Sequence, residues 1–209
     1  MADDFPIPRQ TQSEGLATHA TRAVSAIVVV GFALAIMWAL EVLAFVTNNQ
    51  ILTYGIRAHD VSDLPHVFTA PFLHASFDHL IANTVPFAVL GFLAALRGIS
   101  KFLVMNVIVM VVGGLGVWFL GPSNGVTIGA SILVFGYFGY LVGRGVFERR
   151  LLDVIIAVVV GVLYGTAIAA SVLPNNPQIS WQGHLFGLIG GVLAAWTLRR
   201  RDAKGFTFA

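Results

Sequence analysis

The sequence predicts an all-α protein that crosses a lipid bilayer six times, and three observations support this fold class. Hydrophobic residues make up 57% of the 209 residues and charged residues only 11%, with a mean hydropathy of +0.84. Six stretches approach the roughly 20 apolar residues that a spanning helix requires. Basic residues collect in alternate connections between these stretches, as in polytopic membrane proteins. Together these features predict a single membrane domain.

The six predicted spans follow one another with mostly short connections. In chain order they are Ala23 to Val46, His79 to Leu96, Phe102 to Leu120, Val126 to Phe147, Leu151 to Leu173 and Trp181 to Leu198. Residues 1–22 are polar and lack the charged-then-apolar layout of a signal peptide, so we expect a flexible tail there. Residues 199–209 form a second, basic tail. The membrane domain is therefore expected over residues 23–198.

The positions of the basic residues predict the orientation of the spans. Eleven of the twelve Lys and Arg residues precede the first span or follow the second, fourth or sixth, and only Arg57 lies on the other side. The positive-inside rule then places both termini in the cytoplasm, which indicates a multi-pass protein of the cell (inner) membrane. The run Arg199-Arg200-Arg201 is typical of an anchor beside anionic lipid, so no nucleic-acid partner is expected. The oligomeric state stays open.

Polar residues at a shared depth in three spans indicate a site. Counted from the outer end at 1.5 Å per residue, His79 begins span two and Asn83 lies one turn deeper. Ser131 is expected near the sixth residue of span four, and His184 near the fourth of span six. All four lie within roughly 10 Å of the outer end. Polar groups in lipid usually carry chemistry or transport, so we expect a common site that opens to the outer side.

Spacing and small residues suggest how these side chains meet. His79 and Asn83 are four residues apart and so share one helix face, whereas His74 is expected in the preceding loop with a structural role. Spans four and six are both rich in glycine, which lets helix backbones approach closely in lipid. Ordinary helix packing would explain the glycines alone, but not a serine and a histidine at matched depth.

Ser131 and His184 have the chemistry of a nucleophile and its base. Histidine is the side chain best suited to take a serine proton at neutral pH. No acidic residue is expected at the same depth in spans four or six, so the sequence indicates a dyad rather than a triad. The N–H of Ser131 with the side chains of His79 and Asn83 would hold an oxyanion. Phe135, one turn below Ser131, is expected to stack on the imidazole.

Three motifs of this chain are similar to those of a known family. They are His74-Ala75-Ser76-Phe77-Asp78-His79-Leu80-Ile81-Ala82-Asn83, Gly129-Ala130-Ser131 and Gly183-His184-Leu185-Phe186-Gly187 followed by Gly191. In these motifs the chain resembles the rhomboid intramembrane serine proteases, whose minimal core has six helices. The resemblance implies Ser131 as nucleophile, His184 as base, and His79 and Asn83 in the oxyanion hole. It also implies supporting roles for Phe135, Gly129 and Gly187, and a loop from Thr47 to Phe77 partly embedded in the outer leaflet.

The expected function is therefore hydrolysis of peptide bonds in or beside transmembrane segments of other membrane proteins, single-pass or polytopic, without metal or cofactor. Two departures from the family pattern are visible: Ile132 follows the serine where glycine is common, and Pro65-His66-Val67-Phe68 replaces a Trp-Arg pair in the first loop. Ile132 motivates an alternative, a catalytically silent relative that binds membrane clients, because a β-branched side chain there would crowd the oxyanion site.

A metal or ion site built from His74, His79 and His184 is a further alternative, although no His-Glu-x-x-His motif supports it. The chain has no cysteine, which excludes disulfides and cysteine-bound metals. For substrate entry, span five and the loop Pro174 to Ser180 look the least tethered, since span five has no polar residue at the site depth and offers only weak packing at Gly161 and Gly165.

Overall fold

A computed structural model describes residues 10–174 and 179–200. Within these ranges the chain forms six α-helices and three short 3₁₀ helices. The α-helices are α1 (Gln10–Val46), α2 (Phe77–Ala95), α3 (Ile99–Leu120), α4 (Ser131–Glu148), α5 (Leu151–Ser171) and α6 (Trp181–Thr197). The 3₁₀ helices Gln50–Tyr54, Val61–Phe68 and Ala70–Phe72 fold the connection between α1 and α2. The predicted all-α class is confirmed.

Four helices are long and apolar enough to cross a bilayer: Ala17–Val46 within α1, and the whole of α2, α3 and α5. This confirms a multi-pass membrane protein. With 18 and 17 residues, α4 and α6 lie outside that group. Helices α4 and α6 carry Ser131 and His184 of the predicted site, and α4 is surrounded by other helices, so its residues face protein more than lipid. Six spans with both termini cytoplasmic stay a prediction.

Two helix boundaries differ from the sequence prediction. Helix α1 already begins at Gln10, so part of the predicted tail is helical; residues 1–9 and 201–209 lie outside the described residues. Helix α4 begins at Ser131 and not at Val126, which makes the serine its first residue and not the sixth. The apolar residues before it are extended because Thr127 and Gly129 hydrogen-bond to the first loop and Gly129 has a φ of +124°.

Helix α4 is the centre of the molecule, and 13 of its 18 residues are buried. Helix α6 packs closely against both α4 and α3. A Cβ at Gly187 would lie 3.2 Å from the carbonyl carbon of Ile132, and one at Gly191 would lie 2.7 Å from that of Gly136. The backbones of α4 and α6 are therefore in direct contact, as small residues permit in membrane proteins.

Helix α5 shares an extended interface with α4 alone among the helices of the described chain. Its first turn is anchored by Asp153, which accepts a hydrogen bond of 3.2 Å from Arg144 Nε and forms an ion pair with Arg97. Farther along, Gly161 and Gly165 have no protein atom within 4 Å of a Cβ built on them. The ionic contacts of α5 among the described residues are therefore at its N-terminal end, while Val160 and Ile168 bury apolar side chains farther along.

The first loop is rigidly built around a buried carboxylate. Asp63 accepts hydrogen bonds from the backbone N–H and the guanidinium of Arg57, at 3.1 and 3.2 Å, and lies 3.2 Å from His66. Arg57 is the one basic residue that the orientation argument leaves on the other side of the membrane. Asp63 pairs with Arg57 and so compensates the charge of this cation on the side that has no other Lys or Arg.

Candidate active site

The segment before α4 is held by the first loop, and this fixes where Ser131 lies. Thr127 and Ile56 exchange two backbone hydrogen bonds of 2.9 and 3.0 Å. Gly129 N–H donates to the carbonyl of Ala70 at 3.0 Å, and Ala130 N–H donates to His74 Nε2 at 3.3 Å. Ser131 follows at once as the first residue of α4, with a half-buried side chain.

Gly129 brings the backbone of this segment against His79. Its φ of +124° is a conformation that L side chains rarely adopt. A Cβ at this position would lie 2.7 Å from Cε1 and 2.8 Å from Nε2 of His79, so a side chain could not fit. The imidazole of His79 therefore lies against the chain two residues before the serine.

His74 supports this arrangement from inside the protein. It is 1% exposed, and its ring lies 5.1 Å from that of His79 in an edge-on orientation. Burial, with a smaller contribution from His79, lowers the pKa of His74 to about 4. A neutral ring whose Nε2 accepts from Ala130 carries its proton on Nδ1. A structural role for His74 was expected, but its partner Ala130, 56 positions away, was not predicted.

His184 is fixed by two contacts that leave one ring nitrogen free. It is the fourth residue of α6 and is 8% exposed. Its Nδ1 lies 3.0 Å from the carbonyl of Ser171 at the end of α5. A carbonyl can only accept, so Nδ1 carries the proton and Nε2 of the neutral ring has the lone pair. Phe135 stacks on the imidazole with ring centroids 4.0 Å apart and planes 13° from parallel.

Phe135 contacts His184 and lies one helical turn after Ser131. Ser131 and Phe135 are four residues apart in α4 and so share a helix face, and the imidazole rests on the Phe135 ring. Among the hydrogen bonds of the described residues there is none from the Ser131 hydroxyl to His184. Catalytic hydrogen bonds are often long in enzymes without substrate and tighten when it binds.

Asn83 lies one turn after His79 on α2 and is buried. Its amide nitrogen donates to the carbonyl of His79 at 2.9 Å. An amide nitrogen has two hydrogens, so this bond leaves a second donor. Ser76 caps the start of the helix by accepting from the N–H of His79 at 3.2 Å. These contacts fix the first turn of α2, which presents His79 toward Gly129.

Ile132 points away from the space around Ser131. It is 2% exposed, and its side chain fills a notch between α3 and α6. A Cβ on Gly113 would lie 2.5 Å from Ile132 Cγ2, and one on Gly183 would lie 3.1 Å from its Cγ1. Glycines on two neighbouring helices therefore accommodate the Ile132 side chain, and its effect on the oxyanion site stays a prediction.

A cavity of about 790 Å³ lies over the ends of these helices. Its described walls are the connection Leu120 to Ile128, the start of α6 with Ile179 and Ser180, Pro174, and Ala75 with His79 from the second motif. Residues 175–178 of the predicted entry loop lie outside the described residues. His79 links this cavity to the segment that carries Ser131.

Residues that could hold a metal ion are not gathered in the described part of the chain. It contains no group of three His, Asp or Glu side chains in an arrangement suited to a metal. The Nε2 lone pair of His74 is engaged with Ala130, and Nδ1 of His184 faces a carbonyl. Nε2 of His74 is therefore occupied, whereas Nε2 of His184 keeps its lone pair.

Comparison with known proteins identifies the family. The model of the Rhomboid domain matches residues 61–201. The chain belongs to the rhomboid family. Each candidate site residue lies inside the range that matches the rhomboid domain.

Individual relatives extend over most of the chain. The Mycobacterium tuberculosis protein named "Uncharacterized protein Rv1337" is 40% identical over 177 residues, which cover 81% of this chain and 74% of the relative. "Putative rhomboid protease YdcA" of Bacillus subtilis is 30% identical over 141 residues, covering 67% of this chain and 70% of the relative. "Putative rhomboid protein L523" of Acanthamoeba polyphaga mimivirus is 30% identical over 156 residues, covering 70% and 75%.

Proposed function

We propose that this rhomboid-family protein is a serine endopeptidase that cuts peptide bonds in or next to transmembrane segments of other membrane proteins. The observation that carries the proposal is the state of His184. Its Nδ1 proton is held by the Ser171 carbonyl, its ring rests on Phe135 one helical turn after Ser131, and its basic Nε2 has no partner among the described residues. Family membership supports the same activity.

In the proposed reaction, Ser131 Oγ attacks the carbonyl carbon of the scissile bond while His184 Nε2 takes the hydroxyl proton. The tetrahedral intermediate collapses, the C–N bond breaks, and Nε2 returns the proton to the leaving amine. The acyl group remains on Ser131. Water then attacks the ester with His184 again as base, which releases the acid and restores the serine.

The oxyanion would be held where α4 begins. The first N–H groups of a helix have no partner inside it, and Ser131 is the first residue of α4. The second amide hydrogen of Asn83 and the His79 ring would add side-chain donors from α2. Replacing His79 or Asn83 by alanine should then lower turnover by about 10²-fold or somewhat less. Unchanged turnover in both variants would mean that backbone donors suffice.

The main test is cleavage of a generic single-span substrate by the purified full chain in detergent. Ser131→Ala and His184→Ala should each abolish cleavage, whereas Ser100→Ala, on the exposed first turn of α3, should leave it unchanged. Circular dichroism of each variant would show that the fold is intact. Cleavage that persists in both active-site variants would disprove the assignment.

A catalytically silent, client-binding relative is the second candidate. The observation in its favour is that the described residues contain no hydrogen bond between Ser131 and His184. Labelling by a fluorophosphonate separates the two functions. Labelling that depends on Ser131 and His184 supports the protease, while folded protein that binds a membrane client but never labels supports the silent relative.

We also propose that the protein lies in the inner membrane with both termini cytoplasmic and the site open to the outer side. The eleven basic residues on one side support this orientation.

A further inference from the structure

A second cavity lies at the end of the helix bundle opposite to Ser131, and its walls are strongly basic. It has a volume of about 200 Å³. Each of the six helices, or a residue beside its end, contributes one basic side chain to it. These are Arg22, Arg97, Lys101, Arg144, Arg150 and Arg200. Basic residues that are far apart in the sequence are thus brought together around one small space.

The positive charge of this cavity exceeds the negative charge near it. Asp153 pairs with Arg97 and Arg144, and Glu148 lies 3.3 Å from Arg144. These two carboxylates are the ones that pair with cations of the cavity among the described side chains. Six cations against two carboxylates leave an excess of four positive charges. Like charges repel at this separation, so a bound anion would stabilise the arrangement.

Several of these cations have donors that the described protein does not use. The side chains of Arg22, Arg150 and Arg200 have no hydrogen-bond or ion-pair partner among the described residues. Lys101 donates to the carbonyl of Leu198 at 2.9 Å, which leaves its charge uncompensated. Arginine donors suit the paired oxygens of a phosphate.

The remaining walls are apolar. Leu93 and Leu96 from α2, with Leu152 and Ile156 from α5, line the cavity beside the basic groups. A purely ionic site on the surface would not need such walls. Basic side chains next to aliphatic ones between membrane helices match the junction of a lipid headgroup with its glycerol and acyl chains.

We propose that this cavity binds the phosphate group of an anionic phospholipid. The guanidinium groups of Arg22, Arg150 and Arg200 would take the phosphate oxygens, and the leucines would contact the glycerol end of the acyl chains. Binding would join α1, α5 and the end of α6. This proposal does not depend on the proposed protease activity.

Other basic residues at the same end provide a matched control. Arg149 donates to the carbonyl of Val146 at 3.3 Å, and Arg199 donates to that of Trp196 at 2.7 Å while lying over its ring. Neither lines the cavity. The pair Arg149→Gln and Arg199→Gln therefore removes the same charge from the same end without touching the proposed site.

The test is native mass spectrometry of the delipidated full chain with phosphatidylglycerol or phosphatidylcholine. One molecule of phosphatidylglycerol should bind in preference to phosphatidylcholine. The double variant Arg22→Gln/Arg150→Gln should weaken the affinity for phosphatidylglycerol by about tenfold or more. The control pair should change it by less than about twofold. If the double variant does not fold, Arg150→Gln alone should weaken binding in the same direction.

Inorganic phosphate distinguishes the two sources of this chemistry. Phosphate that displaces phosphatidylglycerol supports a site that recognises the phosphate group of the lipid. Phosphate that stabilises the protein through Arg22 and Arg150, with no binding of the lipid, would instead identify a site for the free anion. Equal loss in both double variants, or no loss in either, would overturn the proposal and leave only a general attraction of the basic end for anionic lipid.

Discussion

Helices α5 and α6 flank the candidate site and are attached to the protein in opposite ways. Helix α6 contacts both α3 and α4, and its glycines meet the backbone of α4 directly. Helix α5 packs mainly against α4, is held at its first turn by Asp153, and has two glycines that face no protein atom. Helix α6 is thus fixed by direct backbone contacts, whereas α5 is packed less extensively and meets the imidazole through the Ser171 carbonyl.

The difference shows how one site can be both rigid and accessible. The side chains that would do chemistry are carried by tightly packed α2, α4 and α6. Substrate entry needs a movable element, and motion costs least where few contacts break. Helix α5 meets that condition, as the sequence also suggested. The Ser171 carbonyl near its outer end joins it to His184.

The largest expected effect comes from adding a side chain to the rigid helix. Gly191→Leu should lower the stability of the protein by about 3 kcal/mol or more and abolish cleavage, because a Cβ there meets the Gly136 carbonyl and the N–H of Tyr140 at 2.8 Å. Gly161→Leu on α5 makes the same change in open space and should be tolerated. Thermal unfolding in detergent measures both. Equal damage by the two would show that α5 is packed as tightly as α6.

A cross-link on the mobile helix should separate access from chemistry. We expect a disulfide between cysteines introduced near the outer ends of α2 and α5 to slow cleavage of a transmembrane substrate more than fluorophosphonate labelling of Ser131. The chain has no native cysteine to interfere. Reduction of the disulfide is the control and should restore cleavage. Equal slowing of both reactions would place the gate in the loop over the serine instead.

A weaker acceptor at the end of α5 should disturb the base. Replacing Val172 by its α-hydroxy acid turns the Ser171–Val172 peptide into an ester, whose carbonyl accepts hydrogen bonds less well. Turnover should fall by about threefold to tenfold, and the imidazole ¹⁵N shifts of His184 should show less protonation at Nδ1.

An ester at position 169 is the matched control for that change. Both esters disturb the hydrogen bond from the Val172 N–H to the Ile168 carbonyl: the first removes the N–H, and the control weakens the carbonyl. The control leaves the Ser171 carbonyl intact. It should therefore disturb the end of α5 without altering the ¹⁵N shifts. Identical shifts in the two esters would mean that the Ser171 carbonyl does not orient His184.

The most gradual expected effect concerns the stability of the first loop at low pH. The pKa of His74 is about 4 in the folded protein against about 6.5 when unfolded. The unfolded chain therefore binds more protons between these values, so stability should fall as the pH drops from 6.5 toward 4, by at most about 3 kcal/mol. His74→Asn should show a flatter pH dependence in denaturant titrations. Parallel curves would mean that His74 titrates normally.

The sequence predicted the parts of the site that depend on helical spacing. The separation of Ser131 from Phe135, and of His79 from Asn83, is read directly from a period of 3.6 residues. The position of His184 as the fourth residue of its helix also agrees with the structure. Ser131 was misplaced because the residues from Val126 are apolar, and an apolar stretch alone does not distinguish helix from a strand-like segment held by another loop.

Contacts made by the backbone could not be predicted in this way. The bond from Ala130 to His74 joins two loops, and the bond from His184 goes to a carbonyl at a helix end. Any residue type supplies such a carbonyl, so no motif marks it. Likewise the notch for Ile132 needs Gly113 and Gly183 on two different helices, which only the packing reveals.

The acceptor that holds His184 is therefore insensitive to side-chain substitution. Because the Ser171 carbonyl belongs to the main chain, Ser171→Ala leaves it in place, and substitutions that preserve the helix leave it too. An alanine scan of α5 would report this helix as dispensable to chemistry while passing over the group that orients the base. Only variants that shift the backbone, or atoms exchanged within it, would expose the contribution of α5.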